Sequence, residues 1–206
     1  MKTLNLFMAL AIVLPMTAFG QNSKPASPTS EDIKVIAEMK GDLNNDGIDD
    51  VATICEYQNG KEHAPMLAIT LSDDKGNARE PLVYNIFDEE AAENEYIIAQ
   101  YWLDYTKTKC LKITVSNFAT AGTWATPTST YIYRYQNGDF YLIGESHDCY
   151  YRNSGEDTAV SINYLTNKKC ETSSNVFDKN VKRKSTWSKI DKKPLRRLGD
   201  DKLTAE

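Results

Sequence analysis

The sequence predicts an all-β fold, mainly an antiparallel meander with at most one short helix. Apolar and polar residues alternate with a period of two in most segments long enough to form an element. Short turn signals separate these segments, most clearly Asn137-Gly138, a dipeptide that favours a two-residue β-hairpin. Only Asp88 to Glu95 has the composition of a helical turn. The pattern leaves a sandwich, a partial barrel and a propeller-like arrangement open.

The first 20 residues have the organisation of a secretory signal peptide. Lys2 precedes an apolar run from Leu4 to Pro15, and small residues lead up to Gly20. The run is too short for a comfortable membrane span and no second long apolar run follows, so we expect no membrane span. Residues 21–32, QNSKPASPTSED, are expected to form a flexible tether. The protein is therefore predicted to be secreted or periplasmic.

Length and charge limit the remaining possibilities. Residues 33–197 suit a single β-rich domain with a sizeable core, followed by a C-terminal tail at 198–206. The chain carries 24 basic and 29 acidic residues, and the leader removes only Lys2, so the mature net charge is 23 − 29 = −6. This balance disfavours nucleic acid as a partner. A protein or a glycan is the expected ligand.

Oxygen-bearing side chains recur at alternate positions in the loop 41–50, GDLNNDGIDD. Ca²⁺ takes about 6–8 oxygen ligands at about 2.3–2.6 Å, and alternate residues of a tight loop can supply them. Gly47 stands where the chain must turn sharply, since glycine adopts such conformations without steric cost. The loop is therefore predicted to bind Ca²⁺ through relative positions 1, 3, 5, 7 (backbone carbonyl) and 9, which are Asp42, Asn44, Asp46, Ile48 and Asp50.

The loop differs from an EF-hand, because that motif needs a bidentate Glu at position 12, where this chain has Thr53. Alternating segments on both sides also indicate strands rather than helices. With these flanks, GDLNNDGIDDVATI resembles the strand-loop-strand unit of FG-GAP and related VCBS-type repeats. In that family the matching positions hold Ca²⁺. Because the sequence contains one copy of the repeat, we do not expect a full propeller. The alternative interpretation of the loop is an acidic turn that binds no ion.

In the first half of the chain, strands are predicted on both sides of the loop 41–50, and the first hairpin is predicted after it. Ile33 to Met39 and Asp50 to Gln58 flank the loop, and the turn Asn59-Gly60 leads on to a further strand. The segment Tyr96 to Tyr105 fits either a strand or a continued helix. The other predicted strands of this half are Pro65 to Leu71, Leu82 to Phe87 and Leu111 to Val115.

The second half contains the strongest hairpin signal, between Thr130 to Gln136 and Asp139 to Tyr150. Before it, Phe118 to Thr128 is rich in small residues and is expected to be a mobile loop. Later strands are predicted at 160–164 and around 186–190, the last anchored by Trp187. Residues 179–197 are basic, and we interpret them as a solvated edge strand in preference to an anion-binding patch. This half resembles small exported proteins of Bacteroidetes-type bacteria, which implies no activity.

Four cysteines in an exported chain predict two disulfides, with three possible pairings. We favour Cys55 with Cys110 and Cys149 with Cys170, because each bond then stays within one half of the chain. The absence of a CxxC spacing disfavours a zinc knuckle or a redox pair.

No motif assigns a catalytic residue, and a non-catalytic protein is the favoured interpretation. Ser146-His147-Asp148 cannot act as a triad, since neighbours on a strand point to opposite faces and only Glu145 and His147 could share one. His63 lies beside a predicted turn and is expected to be solvated.

The sequence thus favours an exported, Ca²⁺-stabilised binding module. The alternative is a carbohydrate-binding or carbohydrate-acting protein, whose apolar platform would be Trp124, Tyr131, Tyr133 and Tyr135. In a competing interpretation the tyrosines lie in the core. Inhibition of a secreted enzyme is a third possibility, but no residue points to it.

Overall fold

The computed structural model describes residues 33–57, 65–88 and 94–205. The predicted signal peptide, the tether at 21–32, Asn59-Gly60, His63 and most of the predicted helix at Asp88 to Glu95 lie outside these ranges. Within them there is no helix, so none that could cross a membrane.

Eleven strands form two antiparallel sheets in the described ranges, which confirms the predicted all-β class. The four-stranded sheet has the order β1-β2-β3-β4, and the seven-stranded sheet has the order β11-β10-β9-β8-β7-β6-β5. Each sheet is a meander, because every strand pairs with its neighbour in the chain. The strands are β1 (Ile33–Gly41), β2 (Asp50–Tyr57), β3 (Met66–Thr70), β4 (Leu82–Tyr84), β5 (Ile97–Tyr105), β6 (Leu111–Ala119), β7 (Ala125–Gln136), β8 (Asp139–Tyr151), β9 (Glu156–Asn163), β10 (Lys168–Asn175) and β11 (Lys184–Lys189).

The hairpin between β7 and β8 forms at the predicted turn. Asn137 and Gly138 both have positive φ, 52° and 82°, as a type I′ turn requires. The segment Tyr96 to Tyr105, which was ambiguous in the sequence, is the strand β5. The predicted mobile loop at Phe118 to Thr128 is mostly wrong, because β6 extends to Ala119 and β7 begins at Ala125.

The core lies between the two sheets. Alternate residues of β5, β6 and β7 face this core, and so do Leu198 and Leu203 near the C-terminus. Phe87 and Tyr101 meet edge to face, with ring centroids 4.7 Å apart. Its fully buried large side chains include Ile54, Leu67, Ile69, Ile86, Phe87, Leu111, Ile113 and Phe140.

The C-terminal segment is part of the domain, so the predicted tail at 198–206 is wrong as far as residue 205. Leu198 and Leu203 are buried, at 4% and 2% exposure, because the core takes up both apolar side chains. The amide of Leu198 donates to the carbonyl of Phe140 at 2.8 Å, and that of Leu203 to Ile86 at 2.6 Å. The segment therefore connects the seven-stranded sheet to the residues after β4.

The strands β9, β10 and β11 extend beyond the core, and we call them the β9–β11 extension. None of their residues is buried, and all six residues of β11 are exposed. Trp187 is 68% exposed and so does not anchor the last strand as the sequence suggested. The prediction of a basic edge strand is confirmed, since β11 pairs only with β10 among the residues that the structure describes.

Candidate metal centre

Asp50, the first residue of β2, organises the loop that precedes it. Its side chain is fully buried. Oδ2 accepts backbone hydrogen bonds from Leu43 at 2.9 Å and Asn44 at 3.2 Å, and Oδ1 accepts one from Ser72 at 2.9 Å. One carboxylate thus joins both ends of the loop to the segment that follows β3. The sequence marked Asp50 as a metal ligand but gave no sign of this organising role.

The exposed middle of the loop is held by its own side chains. Asn44 donates through Nδ2 to Oδ2 of Asp46 at 2.7 Å, while the amide of Asp46 donates to Oδ1 of Asn44 at 3.0 Å. The amide of Ile48 donates to Oδ1 of Asp46 at 2.8 Å. Asn45 and Gly47 have positive φ, 62° and 89°, which turns the chain back. The loop is therefore closed by hydrogen bonds that asparagine and aspartate form readily.

Lys109 reaches the loop from the turn between β5 and β6. Its ammonium lies 2.6 Å from Oδ2 of Asp42 and 2.9 Å from Oδ1 of Asn45. The hydrogen bond from Lys109 lowers the pKa of Asp42, and the same contact raises the pKa of Lys109. Sequence reasoning missed Lys109, because a residue 67 positions away shares no spacing with the loop.

The other oxygen of Asp42, Oδ1, is buried and has no partner with hydrogen-bond geometry among the described residues, although the backbone amides of Gly47 and Asp46 lie near the carboxylate and also lower its pKa. The Asp42 side chain is only 10% exposed, and its backbone carbonyl accepts a hydrogen bond from the hydroxyl of Tyr105 at 3.0 Å. A buried carboxylate oxygen without a partner is costly, and it is also the type of ligand that Ca²⁺ prefers.

The predicted ligands fit Ca²⁺ in type and in chain position. They are three carboxylates, one side-chain amide and one backbone carbonyl. Within residues 33–57, 65–88 and 94–205, however, no three Asp, Glu, His or Cys side chains are grouped as a metal site. The reason lies in the hydrogen bonds above, which hold Asp46 and Asp50 against the loop's own amides. The structure brings the residues into one loop without converging their carboxylates on one point.

The predicted aromatic platform is not formed. Tyr131 and Tyr133 are buried at 6% and 4% exposure, since this side of β7 faces the core, and Tyr135 packs edge to face on Phe140. Trp124 is 60% exposed in the turn before β7, where the guanidinium of Arg152 lies 5.6 Å from its ring centroid. The three tyrosines therefore cannot form one sugar-binding surface with Trp124.

All four cysteines, Cys55, Cys110, Cys149 and Cys170, are free thiols, so the two predicted disulfides are wrong for this structure. Cys149 and Cys170 lie on β8 and β10 with β9 between them, and two strand spacings of about 4.8 Å exceed the usual Cα separation of a disulfide. Cys110 follows Lys109 beside the loop, whereas Cys55 lies five residues further along β2 from Asp50. Five residues of a strand place Cys55 roughly 16 Å from Asp50 along β2.

A Ser-His-Glu arrangement occurs where the sequence suggested only a shared face. Nδ1 of His147 lies 2.9 Å from Oγ of Ser129 across the β7–β8 pair, and Nε2 lies 3.8 Å from Oε1 of Glu145. Ser129 is fully buried in the sheet, so no substrate can reach its hydroxyl. This geometry does not provide a nucleophile.

Glu145 instead fixes the C-terminal segment. Arg196 lies 2.8 Å from its Oε2, and the hydroxyl of Tyr164 donates to its Oε1. Burial raises the pKa of Glu145, but hydrogen bonds from His147 and Tyr164 and the charge of Arg196 outweigh burial, so the pKa lies below its ordinary value. The cluster therefore holds residues 196–205 against β8.

Comparisons with protein-family models, with curated proteins and with solved structures found no match for this chain. The candidate site accordingly rests on its own residues and their geometry.

Proposed function

We propose that the loop 41–50 binds Ca²⁺ and that the protein is an exported, non-catalytic β domain stabilised by this ion. The ligands would be the side chains of Asp42, Asn44, Asp46 and Asp50 and the backbone carbonyl of Ile48. When bound, the ion would neutralise the carboxylates and fix the connection between β1 and β2.

The observation that carries the proposal is the buried Oδ1 of Asp42, which has no hydrogen-bond partner among the described residues. Every other carboxylate oxygen of Asp42, Asp46 and Asp50 already accepts a hydrogen bond. An unpaired buried acceptor costs about 1–3 kcal/mol, and a bound cation would remove that cost.

The charge balance of the loop supports a divalent ion. Four carboxylates, those of Asp42, Asp46, Asp49 and Asp50, lie within nine residues. Two lysines partly offset them, Lys109 at 2.6 Å from Asp42 and Lys40 at 3.7 Å from Asp49. The remaining charge is −2, which one Ca²⁺ would neutralise.

The ion's role would be structural. Asp50 already accepts hydrogen bonds from Leu43 inside the loop and from Ser72 after β3, so an ion at the loop would strengthen an existing connection between these two segments. Extracellular modules bind Ca²⁺ with dissociation constants of about 10⁻⁴–10⁻³ M, which matches the export predicted from residues 1–20. Interaction with a protein or a glycan outside the cell is the activity that such a domain would serve.

The experiment is a calorimetric titration of the mature protein with Ca²⁺, repeated on Asp46→Ala and Asp73→Ala. Both variants delete an aspartate that closes a turn by accepting backbone hydrogen bonds, Asp46 from Ile48 and Asp73 from Lys75 and Asn77. Only Asp46 lies in the proposed site. We expect Asp46→Ala to abolish binding and Asp73→Ala to retain it; equal binding by both variants would refute the proposal.

A further inference from the structure

The face of the seven-stranded sheet that points away from the core carries a row of mostly hydroxyl-bearing side chains, and we call this face the outer face. Cross-strand register places one residue of every strand in a single row across it. The row consists of Trp102, Thr114, Thr130, Ser146, Ser161, Cys170 and Trp187. An exposed tryptophan on an edge strand stands at each end of the row, and most of the residues between them carry hydroxyl groups. The row is roughly 29 Å long, because neighbouring strands lie about 4.8 Å apart.

Two lysines flank the tryptophan at the β11 end of this row. Lys168 and Lys189 are register partners, and both lie on the outer face, two residues from Cys170 and Trp187 respectively. Together with Trp187 and Ser188 they line a shallow pocket of about 240 Å³. The indole of Trp187 is 68% exposed, so its ring is open to a ligand.

No carboxylate of the described residues pairs with either lysine. The nearest acid on β10, Glu171, lies on the opposite face and holds Lys169 at 2.6 Å. Like charges placed directly opposite each other on a strand pair are destabilising. An anionic group bound between the two ammonium groups would remove this repulsion.

The surroundings add to the positive charge. Residues 179–197 contain nine Lys and Arg against one acid, Asp191, in a chain of net charge −5. Only Arg196 and Arg197 of these nine form an ion pair among the described residues. The β11 edge of the seven-stranded sheet is thus the most basic part of an otherwise acidic protein, and Lys168 and Lys189 present this charge on the outer face, where it complements an anionic ligand.

We propose that the outer face binds an acidic polysaccharide, with one sugar unit held at Trp187, Lys168 and Lys189. The sugar ring would pack on the indole, whose apolar face suits the C–H groups of a pyranose. Its carboxylate or sulfate would lie between the two lysines. The chain would continue along the row toward Trp102, where Ser and Thr hydroxyls donate and accept hydrogen bonds with sugar hydroxyls.

The polar row favours a glycan over a lipid surface. A membrane-binding face presents a contiguous apolar surface among its basic residues. Here the residues between the two tryptophans are threonines, serines and one cysteine, which offer hydrogen bonds. This inference is independent of Ca²⁺ binding at the loop 41–50, which lies in the other sheet.

The test is titration of the mature protein at low ionic strength with a carboxylated oligosaccharide, oligogalacturonate, followed by calorimetry and tryptophan fluorescence. Site variants are Trp187→Ala and the pair Lys168→Gln with Lys189→Gln. Matched controls are Trp124→Ala, another exposed tryptophan, and the pair Lys179→Gln with Lys182→Gln, which removes the same charge from the β10–β11 connection. All of these side chains are exposed, so the variants are expected to fold.

We expect each site variant to weaken binding at least about fivefold, as for a residue at the centre of an interface, and the controls to change it less than about twofold. Equal losses in site and control variants would show only diffuse electrostatic attraction and overturn the proposal. Binding of inorganic sulfate with the same affinity, binding only to vesicles of phosphatidylcholine and phosphatidylglycerol, or no binding of oligogalacturonate or its sulfated analogues would overturn it as well.

Discussion

Replacing Asp50 by asparagine tests whether one buried carboxylate organises the loop. The substitution keeps the size of the side chain but replaces one oxygen by an NH₂ group. The less costly orientation of the asparagine side chain points its NH₂ group at the backbone amide of Ser72. The Ser72 amide then loses the acceptor that it has at 2.9 Å in the wild type. The bonds from Leu43 and Asn44 remain but become neutral.

The expected loss follows from these contacts. A buried donor without an acceptor costs about 1–3 kcal/mol, and hydrogen bonds to a charged group contribute about 1.5–3 kcal/mol against about 1 kcal/mol for neutral ones. We therefore expect Asp50→Asn to lower the free energy of unfolding by about 2–4 kcal/mol. The assay is urea unfolding in EDTA, which separates this effect from metal binding.

Asp49→Asn is the matched control. Its side chain is 57% exposed and lies 3.7 Å from Lys40, so we expect a change below about 0.5 kcal/mol. A loss under about 1 kcal/mol for Asp50→Asn, or equal losses for the two variants, would refute the organising role of Asp50.

Two further predictions concern charged contacts. The lowered pKa of Asp42 means that its contribution to stability is complete above its ordinary value of 3.8 and is lost as pH falls through the lower folded value. Lys109→Met removes the main cause of the lowered pKa of Asp42. Urea midpoints measured in EDTA between roughly pH 2 and 6 should therefore fall less on acidification in this variant than in the wild type. An unchanged acid dependence would contradict this. Arg196→Gln removes the contacts with Glu145 and Asp201, both 2.8 Å long, and should destabilise the C-terminal segment by about 1–2 kcal/mol, because Arg196 is partly exposed. Faster hydrogen exchange at the amides of Leu198 and Leu203 would report that release, and unchanged exchange would contradict it.

The meander could be predicted because its signals are local. Alternation marks the strands, and Asn137-Gly138 supplies the positive φ values that the β7–β8 turn requires. No local signal predicted the packing of residues 198–205. Their two leucines stand in a polar segment, and they are buried only because strands distant in the sequence form the core that they contact. The tyrosines of β7 follow the same rule. Their alternation showed that they share a face, and only the packing of the two sheets decides that this face is the inner one.

The candidate metal loop was recognisable from its spacing, but its environment was not. Lys109 and Ser72 come from other turns, and their contacts with Asp42 and Asp50 depend on the pairing of whole strands. The disulfide prediction failed for a related reason. Pairing by proximity in sequence ignores the strand β9 that separates Cys149 from Cys170.

The melting temperature of the mature protein in EDTA and in millimolar Ca²⁺ tests the central proposal most directly. With Ca²⁺ at about 10 mM and a dissociation constant of about 10⁻⁴–10⁻³ M, binding to the folded state alone adds about 1.4–2.7 kcal/mol, which corresponds to a rise of about 3–10 °C for a domain of this size. We predict such a rise with Ca²⁺ and a smaller one with Mg²⁺, which holds its water more tightly. An unchanged melting temperature, or equal shifts with the two ions, would contradict a Ca²⁺ site in the loop 41–50.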